Sequence, residues 1–504
     1  MSRFLALPIL VPLFGMVLTL AAARSTALQR TFGVLTTVVT AGLSIAILVD
    51  VDRHGTLATT AGGWPSPIGI NLVADRLSAL MLVISGLMLA AVLVYAIGQK
   101  GRDERSIWYH PAYMALTAGI SAAFLAGDLF NFFVAVEILL MASYVLITLE
   151  GGDEQIRSGT TYVVINVLES ILLVMAVSLV FAATGTLSMA DLPERLAALP
   201  DGVKIGLNLL LLTAFGLKAA VFPLFSWLPD SYPAAPGPVT AVFAGLLTKV
   251  GVYAIIRTQT LLFPGTLSTL LLWIAGATMI IGVLGAIAQS DMKRILSFHI
   301  VSQIGYMIMG IALGGAAAIA ATIYFVLHQI PIKTSLFLVQ GIVERETGTS
   351  ALSKVGGLAR RSGPLALLFL LPALSLAGFP PFSGFIGKTG LVEAGLDDAA
   401  WAMIAVALVG SVLTLVSMLK IWTGLFWGKV EGHGVVDGTP ERTGILRHHP
   451  LISTVTAAVV ALGLVIALAG GPIYRYCERA AESIEHPSTY RTAVNGDQQA
   501  GGRP

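Results

Sequence analysis

Leu217-Lys-Ala-Ala-Val-Phe-Pro-Leu-Phe-Ser226 closes on a pentapeptide that returns almost letter for letter as Phe379-Pro-Pro-Phe-Ser383, 157 residues further on. Each copy sits inside a long apolar run, where a proline removes a backbone hydrogen bond and breaks the helix. Paired broken helices in two halves of a membrane chain point to an ion-transport site. The rest of the fold follows from counting apolar runs outward from these two, each crossing needing roughly 20 residues. Spans are predicted near 4–22, 32–50, 77–98, 111–127, 129–149, 161–184 and 205–228. The second half adds 237–260, 268–289, 294–312, 314–343, 364–392, 400–426 and 451–470. The two copies fall in spans seven and twelve, an odd step apart, so they cross in opposite directions. The expectation is an all-α polytopic membrane protein of about 14 transmembrane helices, with two inverted five-helix repeats (spans 4–8 and 9–13) and broken helices 7 and 12.

Composition supports this. Of 504 residues, 56% are hydrophobic and 12% charged, against roughly a quarter charged in soluble proteins. So few charges do not coat a soluble globule, and a soluble enzyme is excluded. The single cysteine, Cys477, excludes a disulfide framework and a cysteine-ligated cluster. A net charge of +2 gives no argument for nucleic acid. The first run, Phe4 to Leu20, follows a single Arg and reads as a membrane helix rather than a cleaved leader. The predicted units are 1–110 (helices 1–3), 111–260 (first repeat), 261–426 (second repeat), 427–474 (loop and helix 14) and 475–504, a polar tail expected to be disordered. Loops after odd-numbered spans hold 15 Lys or Arg against 10 on the other side. That predicts a cytoplasmic face there and both termini outside.

Five cations remain well inside predicted spans, Lys218, Lys249, Lys333, Lys388 and Lys420, with Arg257 and Arg294 near span ends tallied among the loop cations. The chain has 10 Lys and 20 Arg, yet every one of the five is Lys. Insertion costs for the two are similar, but a buried ammonium is able to lose its proton and a guanidinium is not. The pattern therefore reads as selection for groups that exchange protons. Glu137 and Glu169 are the acids well inside spans, and His299 and His328 the histidines. Glu137 lies at a depth that invites a pair with a lysine; a purely structural salt bridge is the competing reading, though one acid does not neutralise several lysines. Pro331, between His328 and Lys333, is expected to kink span eleven and bring both toward one water-lined cavity. Lys420, near a span end, is expected to snorkel. Asp128, in the turn before span five, is expected to cap it. Glu169 and His299 stay open between pathway and packing.

Gly127-Asp-Leu-Phe-Asn-Phe-Phe-Val-Ala-Val-Glu137, Lys218-Ala-Ala-Val-Phe-Pro-Leu-Phe-Ser-Trp-Leu-Pro229, Ala235-Pro-Gly-Pro-Val239, Leu247-Thr-Lys-Val-Gly-Val-Tyr253 and Gly378-Phe-Pro-Pro-Phe-Ser-Gly-Phe-Ile-Gly-Lys388 resemble the antiporter-like subunits. That family joins Mrp-type multisubunit Na+/H+ antiporters to the proton-pumping membrane subunits of respiratory complex I. The wording is most similar to D-type Mrp subunits. The resemblance covers roughly residues 75–425. It implies a bacterial cell membrane, partner subunits of types A, B, C, E, F and G, and H+ and Na+ as transported ions. By matching position it implies that Glu137 is the helix-five acid, Lys218 its helix-seven partner and Lys249 the central lysine. His328, followed in the helix by Lys333, would be the relay histidine, and Lys388 the terminal group.

The expected function is thus proton movement through a mid-membrane Glu/Lys/His relay, exchanged for Na+, in a secondary transporter subunit rather than an enzyme, with no cofactor. A proton-pumping subunit of a complex I-like or hydrogenase redox complex is the first alternative. A non-conducting scaffold is the second. No Na+ ligand set is visible in the sequence.

Overall fold

Inside a bilayer every backbone N–H and C=O must be paired within the protein, which leaves a chain this apolar little but helix. The computed structural model describes residues 4–62, 64, 69–99, 103, 106–428 and 445–501. The first half holds helices α1 (Leu7–Ala21), α2 (Thr26–His54), α3 (Arg76–Gly98), α4 (Tyr109–Leu125), α5 (Leu129–Ile147), α6 (Asp153–Thr184), α7 (Asp201–Ala219) and α8 (Gly237–Leu262). The second half holds α9 (Ser268–Ala288), α10 (Met292–Leu313), α11 (Gly315–Thr347), α12 (Gly363–Ala377), α13 (Ser383–Asp397), α14 (Trp401–Trp427) and α15 (Pro450–Leu468). An antiparallel hairpin, β1 (Leu57–Ala61) and β2 (Ile70–Ala74), links α2 to α3.

Eleven of these helices are long and apolar enough to cross a membrane among the described residues, fewer than the expected 14. The other three predicted spans correspond to shorter pieces: α1, α4 and the broken pair α12–α13. Both breaks fall at the repeated pentapeptide. Helix α7 stops at Ala220 in the left-handed region (φ 59°), and α12 at Gly378 (φ 88°). Each following motif contains one cis prolyl bond, Phe222-Pro223 and Pro380-Pro381.

The inverted relation of the halves is written into the backbone. Asp128 caps α5 and forms a β-bridge with Ser188, while Asp291 caps α10 and bridges to Ala351. The supporting hydrogen bonds match one for one. Leu129 N donates to Leu187 O (3.0 Å) and Met189 N to Gly127 O (3.0 Å). In the second copy Met292 N donates to Ser350 O (3.0 Å) and Leu352 N to Ser290 O (2.9 Å). Even the helix exits agree: Thr184 and Thr347 each return a hydroxyl to their own helix and to the carbonyl two residues on. Five crossings separate α5 from α10, so the two junctions lie at opposite membrane faces.

Burial sorts the helices into a core and a lipid shell. Helix α11 is buried on every side from Ala318 to Val343, and α8 along its whole length except Thr260. Large apolar side chains face outward on the shell helices, such as Leu35 on α2, Val164 on α6, Trp273 on α9 and Val412 on α14. Lipid, not water, satisfies such a surface.

The tail departs from the expected disorder. Two further helices, α16 (Gly470–Glu485) and α17 (Ser488–Gly501), follow α15. Cys477, Ala480, Ala481 and Ile484 recur at helical spacing, and α16 buries them with that face against α11. An apolar stripe spaced at three and four residues escapes a compositional average. Residues 502–504 lie outside the described ones, as does 429–444 within the predicted loop 427–450.

Candidate functional site

Site chemistry begins where α5, α6 and α7 meet. Glu137 is half-buried on α5 and accepts a hydrogen bond from the Ser170 hydroxyl of α6. Glu169, one residue earlier on α6, is 1% exposed, and its Oε2 lies 3.3 Å from Lys218 Nζ. The carboxylate beside Lys218 is therefore Glu169, where the sequence suggests Glu137. The cause is packing order: α6 lies against both α5 and α7, so its acid reaches the α7 ammonium first.

The remaining bases are held without carboxylates. Lys249 Nζ donates to Ala244 O (2.9 Å) and Thr248 Oγ1 (3.4 Å). Ala244 belongs to a π-turn, Phe243–Leu247, and π-turns free carbonyls from the regular ladder. Lys333 is fully buried on α11, with no hydrogen-bond partner for Nζ among the described residues. His328 shares a hydrogen bond between Nδ1 and Ser383 Oγ (2.8 Å), the first residue of α13, while Nε2 has none. Helix α11 runs unbroken through Pro331. Lys388 Nζ donates to Ala377 O (3.1 Å) and Ser411 Oγ (3.0 Å) and stands 4.6 Å from the centre of the Tyr306 ring. A Cβ on Gly378 would come within 2.8 Å of Lys388 Cδ, so the break in helix twelve is also what admits this side chain.

Three residues outside the predicted set are now placed. Lys420 donates to Ile287 O (2.7 Å) and Gln289 O (2.6 Å), closing the C-terminus of α9 as a cation suits that end. His299 Nε2 pairs with Ser417 Oγ at 2.9 Å. Asp128 accepts from Asn131 N (2.6 Å), a cap as expected.

Arg257, three residues from the end of predicted span 237–260 and tallied there with the loop cations, lies inside α8 and is 5% exposed. It forms a bidentate pair with Asp75 (2.6 and 2.5 Å). The lysine rule is thereby refined: the buried guanidinium has its own carboxylate, and the ammoniums that rest on neutral groups are all Lys. Sequence reading also passed over Ser170, Ser383, Tyr306 and Ser411, since hydroxyls carry no signal in an apolar run. No group of three or more His, Cys, Asp or Glu is placed to hold a metal among the described residues.

Several known proteins are similar to this chain. Residues 126–414 match a family model described as NADH:quinone oxidoreductase/Mrp antiporter, transmembrane. The D-type subunit of the Na(+)/H(+) antiporter of Alkalihalophilus pseudofirmus is 41% identical over 498 residues, 98% of this chain and 99% of that protein. Its namesake from Bacillus subtilis is 36% identical over 501 residues, with the same coverage. Among solved structures, a chain of the Mrp complex from Dietzia sp. DQ12-45-1b superposes with a TM-score of 0.91 at 34% identity, covering 98% of this chain and 100% of that one. A chain of respiratory complex I from Thermus thermophilus gives 0.80 at 25% identity, covering 96% and 99%.

Proposed function

The chain belongs to the NADH:quinone oxidoreductase/Mrp antiporter family, and from that membership we propose that it moves protons through a mid-membrane relay within a multisubunit Na+/H+ antiporter. The relay runs from Glu137 and Glu169 through Lys218 and Lys249 to Lys333 and His328, and ends at Lys388. One observation carries this reading: beyond Lys218, Lys249, His328 and Lys388 each rest on a hydroxyl or a carbonyl rather than on a carboxylate. An ammonium held that way has no fixed counter-charge and is free to pass its proton on.

Gating sits at the acidic end. At 3.3 Å and an effective dielectric of about 20, the attraction between Glu169 and Lys218 is on the order of 5 kcal/mol. That is enough to hold a proton on Lys218 while the pair is closed and to release it when the pair opens. Ser170 ties Glu137 to the same turn of α6, so a movement of α6 changes both carboxylates together. The onward path is Lys249, then Lys333 and His328, then Lys388 beside the broken helix. Proton transfer through such groups proceeds by water or side-chain rotation, with no covalent step.

The chain works beside other subunits of a membrane complex, of types A, B, C, E, F and G by family analogy. By the distribution of Lys and Arg, its termini face outward. The TM-score of 0.80 to complex I keeps a second reading, a proton-pumping subunit of a redox complex; co-purified flavin and iron–sulfur proteins would decide for it. The higher identity to Na+/H+ antiporter subunits favours the first.

The test is Na+-driven collapse of a pH gradient in everted vesicles carrying the whole complex, comparing wild type with Lys249→Met at matched membrane levels. Loss of exchange with assembly retained supports the relay. Unchanged exchange sinks it and favours a scaffold.

A further inference from the structure

Lys249 stands on a helical piece that is interrupted at both ends. The α-helical run Thr248–Arg257 lies between the π-turns Phe243–Leu247 and Thr258–Leu262. π-turns of this kind are frequent at functional sites. Within the helix Lys249 Nζ meets only Ala244 O and Thr248 Oγ1; the contacts that tie its segment to the rest of the fold lie one and two turns further on.

Tyr253 and Arg257 follow Lys249 at four and eight residues, on the same face. Arg257 donates to both Asp75 oxygens (2.6 and 2.5 Å), to Ser78 Oγ (2.9 Å) and to the Tyr253 hydroxyl (3.1 Å). The Tyr253 hydroxyl donates to Phe124 O at 3.0 Å. Asp75 is in turn the cap of α3, accepting from Ser78 N at 2.9 Å. Behind Asp75 stands a rigid frame: β2 is bridged to the α4–α5 junction through Leu72 and Ala126, with Gly127 N donating to Asn71 O (2.8 Å). The tail completes the arrangement. Tyr490, on α17 and 5% exposed, sets its ring 5.9 Å from the Arg257 guanidinium, which also lies 5.1 Å from the Tyr253 ring.

We propose that Asp75 and Arg257, closed over by Tyr490 of the C-terminal helix, are positioning residues that fix the rotation of the Lys249 segment against the α3–hairpin frame. The inference rests on the relay reading of Lys249. The pair is a clamp of fixed geometry because a guanidinium meets a carboxylate through two parallel bonds. A tail expected from its composition to be disordered thus takes part in transport.

The experiment uses the whole complex in everted vesicles, with exchange measured against pH and Na+ at matched membrane levels. Asp75→Asn removes the clamp. It is expected to lower exchange several-fold and to displace the pH profile or the half-saturating Na+ concentration, with Asp75→Glu recovering more than half the rate. Tyr490→Leu is expected to displace the same profile by less, and Tyr490→Phe, which keeps the ring, to match wild type. A wild-type profile for Asp75→Asn overturns the proposal. So does a loss that follows the amount of complex while the profile stays put, since that is a folding role alone. Should Asp75→Asn fail to accumulate, Tyr490→Leu decides, and an unmoved profile there is fatal. Lys249→Met in the same membranes separates the two claims: transport surviving in it sinks the relay, whereas its loss beside a normal Asp75→Asn sinks only the clamp.

Discussion

The two repeats share a backbone and differ in charge. Their bridges and helix exits match bond for bond, yet the first holds Glu137, Glu169, Lys218 and Lys249, while the second holds His299, His328, Lys333 and Lys388. In the first, a buried ammonium faces a buried carboxylate at 3.3 Å. In the second, His299, His328 and Lys388 each lean on a hydroxyl, two of them contributed by α14. The same scaffold thus carries a Lys–Glu pair in one half and, among these four groups, no carboxylate partner in the other. The contrast teaches that the fold sets where a group sits, while the neighbouring helix decides whether it meets a carboxylate or a hydroxyl.

The comparison is open to attack, most strongly through Glu169→Gln, which strands Lys218 in the core. Breaking a buried pair costs about 3–5 kcal/mol, so the complex should accumulate poorly and melt earlier in detergent. Glu169→Gln with Lys218→Met should restore the amount of complex and leave exchange lost. In the second repeat Lys388→Met removes a base that has no counter-charge. It should leave the amount of complex unchanged while exchange falls by about tenfold or more, the scale on which a lost proton-transfer group is felt. Equal losses of complex from the Glu169 and Lys388 variants would erase the distinction. Converting the second half toward the first is a subtler test: Ser411→Asp puts a carboxylate where Lys388 now meets a hydroxyl. Exchange should slow by a few-fold as the proton is held there, and faster exchange would break the argument. Lys420→Met should matter least. It removes a cation from the end of α9, worth about 0.3–1 kcal/mol, and vesicle exchange should be unaffected.

Much of this was legible because bilayers impose a coarse grammar. Apolar run length located the long helices, and the echo of Phe222–Ser226 in Phe379–Ser383 located both breaks. Sorting Lys from Arg picked out the buried bases of the proposed relay, since only their chemistry differs. What stayed hidden depends on rotation and neighbours. Whether Glu137 or Glu169 meets Lys218 is fixed by how α6 turns between α5 and α7, which no run of letters records. Arg257 counts with the loop cations because a guanidinium three residues from the end of an apolar run looks like an end, and its carboxylate lies 182 residues away in sequence. The tail was expected to be disordered because composition averages over the alternation that buries Cys477 and Ile484. The π-turns flanking Lys249 left no sequence mark at all.

Cys477 has a practical side. It is the chain's single thiol and is fully buried against α11, out of reach of bulky labelling reagents while the protein is folded. The natural polypeptide is therefore spectroscopically silent toward maleimides and nitroxides. One cysteine introduced at Thr260, the partly open residue of α8, and another on the hairpin would give a distance recorded without background. The movement of a transporting helix becomes measurable in the native chain, with no thiol to remove first.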